Sequence, residues 1–313
     1  MEKRNGSIII DGNSKCLNTC VFCPGLGRNV SSEEKWNTFI TEFNHHKNNG
    51  IKDIELSGEP GEYDRIVDVV RHLKQNNIDN VLMSTHGRTL KDSSFVKQLK
   101  EAGLDSVKIP IYGSIDSIHN RVCQVENSPG NAFEDSIQGI INCIENDIHV
   151  KISTMITQYN KDDINNIISL MMKITNNKIY FFTVGIICIS KLNTEYTRDW
   201  FFPIKDMGEC VRKIIKNYRD KEYTFNFKIT DIPYCVPRGY CNLMINLNTY
   251  PNLGMHKVSE ELKSTVSDSV PHYRIKSYFE ECDKCCLKDK CGGVYKNELE
   301  MFGVEGLKAI IAV

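Results

Sequence analysis

Over the first two-thirds of the chain, short apolar runs alternate with longer stretches whose apolar residues recur every three or four positions. The runs are "SIII" (Ser7–Ile10), "DIELSG", "NVLMSTHG", "SVKIPIYG", "HVKISTMITQYN" and "KIYFFTVGIIC", and their length and composition predict strands. Between them lie "SSEEKWNTFITEFNHHKNN", "YDRIVDVVRHLKQNN", "DSSFVKQLKEAG", "NAFEDSIQGIINCIEND" and "DDINNIISLMMKITNN", which predict helices. The first opens with Ser and Glu placed to cap and charge a helix start, and the third ends on Gly103. Strands of nearly continuous apolar character, each followed by a helix, predict a helix-covered parallel sheet. The fold class is therefore α/β, a partial (β/α)6 TIM-like barrel, with a flat doubly wound sheet as the alternative. Either architecture puts the chemistry at the carboxyl ends of the strands.

From about Phe201 the rhythm fades, and Pro233, Pro237, Pro251, many polar residues and a group of cysteines follow. This predicts two domains, a barrel over 1–220 and a small C-terminal unit over 221–313. A chain of 313 residues with 41% hydrophobic and 25% charged residues is an ordinary globular protein. Its net charge of −1 gives no basic footprint, so neither nucleic acid nor membrane is expected as a partner. The longest apolar stretch, Ile179 to Ile189, is too short to span a bilayer, and the N-terminus does not read as a signal peptide. A cytoplasmic location is expected, and thirteen cysteines in a reducing compartment point to metal rather than disulfides.

Cys16, Cys20 and Cys23 form a C-x3-C-x2-C loop after the first strand. Three thiolates fill three corners of a [4Fe–4S] cube and leave the fourth iron open; zinc with a distant fourth ligand, or plain buried thiols, is the bland alternative. The spacing resembles the radical S-adenosylmethionine (radical SAM) superfamily, and Phe22 stands where that family has an aromatic residue. The resemblance implies that the open iron chelates the methionine end of SAM. One electron then cleaves the sulfonium, and the resulting 5′-deoxyadenosyl radical takes a hydrogen atom from substrate. "SGEP", with Ser57, Gly58, Glu59 and Pro60 closing the second strand, resembles the family's Gly-Gly-Glu-Pro motif with Ser57 in place of the first glycine. It implies a SAM-binding turn anchored by Glu59. "STHG", starting at Ser84, stands where relatives show Thr-Asn-Gly. Tyr112 and Ser114 in "IPIYGS" and Asn160 in "ITQYN" end the fourth and fifth strands, on the SAM and substrate side. Tyr112, His119 and Cys123 are candidate catalytic residues, the last two as proton or hydrogen-atom donors, or else a structural histidine and a buried thiol.

The run Cys282-x2-Cys285-x5-Cys291, with Cys235 upstream, resembles the auxiliary-cluster regions called SPASM, or twitch when shortened. The C-x3-C ending of a full SPASM domain is missing, so the resemblance implies one auxiliary [4Fe–4S] cluster on Cys235, Cys282, Cys285 and Cys291; a four-cysteine zinc site is the rival. Cys241 and Cys286 are spare, and Cys143, Cys188 and Cys210 read as core. The expected activity is that of a peptide or protein maturase of the oxidoreductase type, using SAM, two [4Fe–4S] clusters and a reductant such as flavodoxin or ferredoxin. The alternative is a dehydrogenase or epimerase of a small molecule such as a sugar, nucleoside or cyclitol. With the first strand starting within ten residues, no preceding leader-peptide-binding domain is expected.

Overall fold

A computed structural model of the chain describes residues 5–10, 16–20, 22–23, 31–123, 130–186, 200–244 and 276–311. Seven strands lie in one sheet in their order along the chain: β1 (Asn5–Ile10), β2 (Asp53–Gly58), β3 (Asn80–Ser84), β4 (Ser106–Pro110), β5 (His149–Ile156), β6 (Ile179–Ile186) and β7 (Asn226–Ile229). The pairs from β1 through β5 are parallel, with Ile10 beside Gly58 and Lys108 beside Lys151. A doubly wound sheet reverses its strand order at a switch point. Here the order never reverses and the sheet ends at β1 and β7 without closing, which is the pattern of a partial barrel.

The connecting helices are α1 (Ser32–Asn48), α2 (Ile66–Gln75), α3 (Ser93–Ala102), α4 (Asp116–Cys123), α5 (Ala132–Glu145), α6 (Ile164–Ile174) and α7 (Met207–Asp220). The Ser and Glu at the start of α1 form a capping box: Glu34 N–H donates to Ser31 Oγ at 3.2 Å, and Ser31 N–H donates to the Glu34 carboxylate at 2.9 Å. Asp92 caps α3, which ends on left-handed Gly103 (φ 103°).

Two expectations need correction. The sheet has a seventh strand, β7, inside the stretch where the rhythm fades; at four residues it is too short to show a period. Nor are the strands buried on both faces. Residues such as Leu56, Met83, Ile109 and Ile152 are fully buried, while Glu55, Ser84, Lys108 and Lys151 on the opposite face are partly exposed. Ser84 Oγ donates to Glu55 at 2.6 Å and Lys108 pairs with the same carboxylate, so polar groups are matched across three strands.

The chain divides into two compact units, one of 1–154, 163–183 and 224–226, the other of 155–162, 184–223 and 227–313. The second carries α7, a two-residue antiparallel pair of β8 (Lys276–Ser277) and β9 (Val294–Tyr295), and helix α8 (Lys296–Phe302). Cys188 lies outside the described residues. No helix among the described residues is long and apolar enough to cross a membrane.

Within the first unit, α5 approaches the turn after β3 so closely that a Cβ on Gly139 would collide with the Gly87 carbonyl oxygen and sit 3.0 Å from Leu90 Cβ. Alanine in an ordinary helix interior gains about 1 kcal/mol over glycine. Here Gly139→Ala should instead lower stability by about 1–3 kcal/mol through overpacking, read as a lower midpoint in urea unfolding.

In the second unit, the buried Glu298 carboxylate accepts the Ile204 N–H at 2.8 Å. Burial pushes its pKa up from 4.5 to about 7. A carboxyl raised in the folded state holds its proton more tightly there than in the unfolded chain. Its contribution is therefore complete below about pH 4.5 and lost as the pH rises through about 7. Thermal melts should show the wild type losing stability relative to Glu298→Gln between pH 5 and 8, by on the order of 3 kcal/mol at most.

Candidate active site

The cysteine loop follows β1 and is held from outside by residues that come just after the neighbouring strands. Leu17 N–H donates to Glu62 Oε1 at 2.8 Å, and Leu17 C=O accepts from Arg88 Nη1 at 2.7 Å. The same guanidinium reaches Asn18 Oδ1 at 3.1 Å and turns its Nε toward Asp135 of α5 at 3.3 Å. Thr19 N–H donates to the Cys123 carbonyl at the end of α4 at 3.0 Å, and Cys23 N–H closes onto the Cys20 carbonyl at 3.0 Å. Arg88 is 1% exposed. A buried guanidinium needs its partners, and here the cysteine loop supplies two of them.

Glu59 ties the ends of β2 and β3 together. One oxygen accepts from Thr85 Oγ1 and the other from His86 N–H at 2.8 Å. Burial raises the Glu59 carboxyl, opposed by the hydrogen bonds from Thr85 and His86. Gly58, just before it, is left-handed (φ 91°), a conformation that glycine adopts without strain.

Cys16 Sγ, a Glu62 carboxylate oxygen and a His86 ring nitrogen lie within 4.8 Å of one another. His86 Nε2 faces Glu62 Oε1 at 2.7 Å. Burial would lower the His86 pKa, but the Glu59 charge and the bonds with Cys16 and Glu62 raise it. Arg88 N–H, however, donates to Nδ1 at 3.0 Å. That bond needs a lone pair, so the ring in this geometry keeps its one proton on Nε2, toward Glu62.

Tyr112 lies on the other side of the loop. Its ring meets Phe22 edge-on, with centroids 5.3 Å apart. Burial, and then the charges of Cys20, Cys123, Cys23 and Cys16, push its hydroxyl well above the usual range. His119 is fully buried and accepts the Tyr112 N–H on Nδ1 at 3.2 Å. Burial lowers its pKa to about 3, so it is neutral, with Nε2–H 3.4 Å from Cys123 Sγ. Burial also raises the Cys16 thiol. A hydrogen bond with Cys123, followed by burial, holds Cys20 well above the usual range.

The loop thus brings Cys16, Cys20, Cys23, Phe22, Glu59, Tyr112, His119 and Cys123 together in one unit. Three thiols on a pinned loop fit a [4Fe–4S] cluster with one iron left for another ligand. The remaining expected positions are engaged locally. Ser57 Oγ faces Ser7 Oγ at 3.4 Å, and Ser84 binds Glu55. Ser114 donates through N and Oγ to Asp163 at 2.6 and 2.7 Å. Asn160, in the second unit, is fully buried and closes its own turn through Thr157 N–H and the Met155 carbonyl.

Sequence reading missed Glu62, His86, Arg88 and Asp135. The available signal was three titratable residues directly after the second and third strands, two of them inside or beside quoted motifs.

In the second unit, Cys235, Cys282, Cys285 and Cys291 line one hollow together with Tyr278 and Val294. Burial, then the charges of Cys291, Cys282 and Cys285, pushes Cys235 to about 12. Tyr278 braces the rim, its hydroxyl donating to the Cys291 carbonyl at 2.6 Å. Cys241 and Cys286 do not line the hollow, and Cys286 is exposed. Four thiols around one space fit a closed tetrahedral metal or cluster site.

The family model described as "Radical SAM superfamily" matches residues 13–171, just over half of the chain. The chain belongs to the radical SAM superfamily. It is an enzyme, and its cofactors are a [4Fe–4S] cluster and SAM. Among curated relatives, a probable GTP 3′,8-cyclase of Saccharolobus islandicus is 28% identical over 181 residues, covering 56% of this chain and 55% of the relative. The chain therefore spans about half the length of the curated relatives it matches. Among solved structures, Streptococcus suis SuiB bound to precursor peptide SuiA superposes with a TM-score of 0.56 at 17% identity, covering 72% of this chain and 49% of SuiB. The structure titled native anSMEcpe with bound AdoMet gives 0.52 at 14% identity, covering 70% and 62%. These two likenesses are of fold.

Arg88→Met leaves Asp135 and the Leu17 carbonyl without their buried partner and should cost about 3–5 kcal/mol. The anaerobically reconstituted variant should melt lower and retain less iron than the wild type. Arg88→Lys should recover only part of the loss, since an ammonium lacks the fork that serves three acceptors.

Proposed function

We propose that this chain modifies a peptide or protein substrate by radical SAM chemistry, with its SAM-binding [4Fe–4S] cluster on Cys16, Cys20 and Cys23. An auxiliary [4Fe–4S] cluster sits on Cys235, Cys282, Cys285 and Cys291. The observation that carries the reading is the pairing of two unlike thiol groups in one chain: a three-cysteine loop at the carboxyl end of the sheet, and four cysteines around a separate hollow. Three protein ligands leave an iron open to substrate or cofactor, whereas four close the cube.

When bound, the open cluster and SAM supply one electron and a 5′-deoxyadenosyl radical that takes a hydrogen atom from substrate. The chain's own residues position and enclose. Ser57, Gly58, Glu59 and Pro60 form the turn for the methionine end of SAM, with Glu59 fixing it against Thr85 and His86. Within the first unit, Phe22, Ser84 and Ser114 complete the cofactor positions, and Tyr112, His119 and Cys123 are the catalytic candidates. The division of labour is 1–220 for the radical chemistry and 221–313 for the auxiliary cluster. The reductant is a flavodoxin or ferredoxin, the setting is cytoplasmic, and neither nucleic acid nor membrane is a partner.

A peptide substrate is supported by the auxiliary-type cysteine group and by the fold shared with SuiB, whose structure holds a precursor peptide. A second reading, a nucleotide or other small molecule, is favoured by the probable GTP 3′,8-cyclases among the relatives, a likeness that covers 181 residues. Reduced anaerobic enzyme with SAM should form 5′-deoxyadenosine and transfer deuterium to it from a deuterated peptide substrate. Cyclised nucleotide formed from GTP would overturn the peptide reading.

Iron analysis tests the two sites. The wild type should hold about eight irons per chain. The Cys16/Cys20/Cys23→Ala variant should keep about four irons and form no 5′-deoxyadenosine, and Cys282→Ala/Cys285→Ala should keep the other four, about half. Zinc at the second site, or undiminished SAM cleavage in the first variant, sinks the assignment concerned.

A further inference from the structure

One cross-strand row of the sheet carries more positive charge than its neighbours balance. The strand pairing sets Lys108 of β4 beside Ser84 of β3 on one side and beside Lys151 of β5 on the other. Residues two apart along a strand share a face, and this row lies on the face opposite the fully buried Leu56, Met83, Ile109 and Ile152. Helices form the outer ring of a barrel, so the row faces the barrel interior. It lies just beneath the strand ends that carry the candidate active site. Ser84 immediately precedes Thr85, which donates to Glu59, and Lys108 stands two residues before the end of β4.

Lys108 and Lys151 are like charges on neighbouring strands, which repel unless an anion answers them. Glu55 answers one. Its Oε1 accepts from Ser84 Oγ at 2.6 Å and pairs with the Lys108 ammonium. The Lys151 ammonium is partly buried and has no hydrogen bond or ion pair among the described residues. Burial pushes its pKa down; the charge of Glu55 opposes this, and that of Lys108 adds to it. Asp53 acts on it more weakly from the start of β2, where its carboxylate is bonded to Asn80. Two ammoniums and one carboxylate leave one positive charge unanswered beneath the strand ends.

We infer that Lys151, with Lys108 beside it, binds a carboxylate of the peptide substrate on the inner face of the sheet. The carboxylate is a Glu or Asp side chain or the C-terminal group. The inference rests on the proposed peptide reading and names the substrate class within it, an acidic peptide. A single unanswered charge suits a single carboxylate, whereas the several charges of a nucleoside triphosphate exceed what this row offers. Hydrogen bonds between a charged donor and a charged acceptor are the strong ones, and a carboxylate has lone pairs for both ammoniums. Ser84 spends its proton on Glu55 and takes no part. The anchor fixes one point of the peptide beneath the Ser57–Pro60 turn, and with it the residue that reaches the strand ends.

Four probes test this by ligand-detected NMR titration of the anaerobic, SAM-loaded full-length protein. N-acetylglutamate α-amide offers a side-chain carboxylate, N-acetylglycine a terminal one, N-acetylglutamine amide neither, and inorganic pyrophosphate a phosphate. A carboxylate probe should bind, the tighter of the two identifying side chain or terminus as the source, and the neutral amide should bind at least about tenfold more weakly. Lys151→Met should weaken the carboxylate probe about tenfold, the loss of one charged hydrogen bond. Glu55→Gln frees Lys108 and should tighten it about threefold. Damage to the fold does not raise affinity, so this variant decides the matter if Lys151→Met fails to fold. Neither carboxylate binding to the wild type overturns the inference, as do equal binding of the neutral amide and unchanged affinity in both variants. So does pyrophosphate that binds more tightly than either carboxylate and is lost in Lys151→Met. Lost SAM affinity in Lys151→Met, with probe affinity kept, also overturns it, since the ammonium then serves the cofactor. Probe binding needs no turnover. Cyclised nucleotide formed from GTP fails the peptide reading, whereas deuterium transfer from a peptide without carboxylate binding fails this inference alone.

Discussion

The peptide unit of Leu17 is held between two buried charges of opposite sign, its N–H on Glu62 and its C=O on Arg88. Neither charge comes from the loop itself. Glu62 follows β2 and Arg88 follows β3, so two adjacent strand ends fix a segment that follows a third. A buried charge without a partner costs several kcal/mol. The loop is thereby tied to one position, because in any other both Glu62 and Arg88 lose a bond they need. The three thiols gain their order from a peptide that carries no metal-binding group.

That constraint spreads into the fold. Arg88 also binds Asp135 on α5, so the helix that covers the sheet helps to aim the guanidinium. Gly139, one turn further along α5, lets the helix close on the Gly87 carbonyl, and Ser136 donates to the His86 carbonyl at 2.7 Å. Glu59 joins the same turn from β2. The packing of one helix, the ends of two strands and the cysteine loop are one connected arrangement, and the radical SAM motifs are its visible points.

The two cysteine groups are built differently. The N-terminal thiols sit on a loop whose backbone is anchored by distant side chains. The C-terminal four surround a hollow whose wall is mostly their own short turns, such as those closed by Cys285 N–H to the Cys282 carbonyl at 3.1 Å and Cys291 N–H to Lys288 at 3.1 Å. Three thiols leave a fourth position to a further ligand, whereas four can close a tetrahedral site.

The sequence by itself determined the six strand runs, the capped helices and the cysteine spacing, because each is written in residues close together along the chain. The Ser31–Glu34 box, the Gly103 cap, the Cys16–Cys23 loop and the "SGEP" turn are local, and local chemistry is legible. It also identified Cys235 as a companion of Cys282, Cys285 and Cys291, although that rested on a resemblance rather than on spacing. Only the tertiary structure decided that the strand order never reverses, since a βαβ unit reads the same in a barrel and in a doubly wound sheet. Only it showed β7, whose four residues are too few for a period, and the half-open polar face of Glu55, Lys108 and Lys151, which alternation hides inside mostly apolar runs. The grip of Glu62 and Arg88 on Leu17 spans 45 and 71 positions, and the Thr19 N–H to Cys123 carbonyl bond joins residues 104 positions apart (123 − 19). Such contacts depend on where strand ends arrive in space, and a single chain carries no local mark of that.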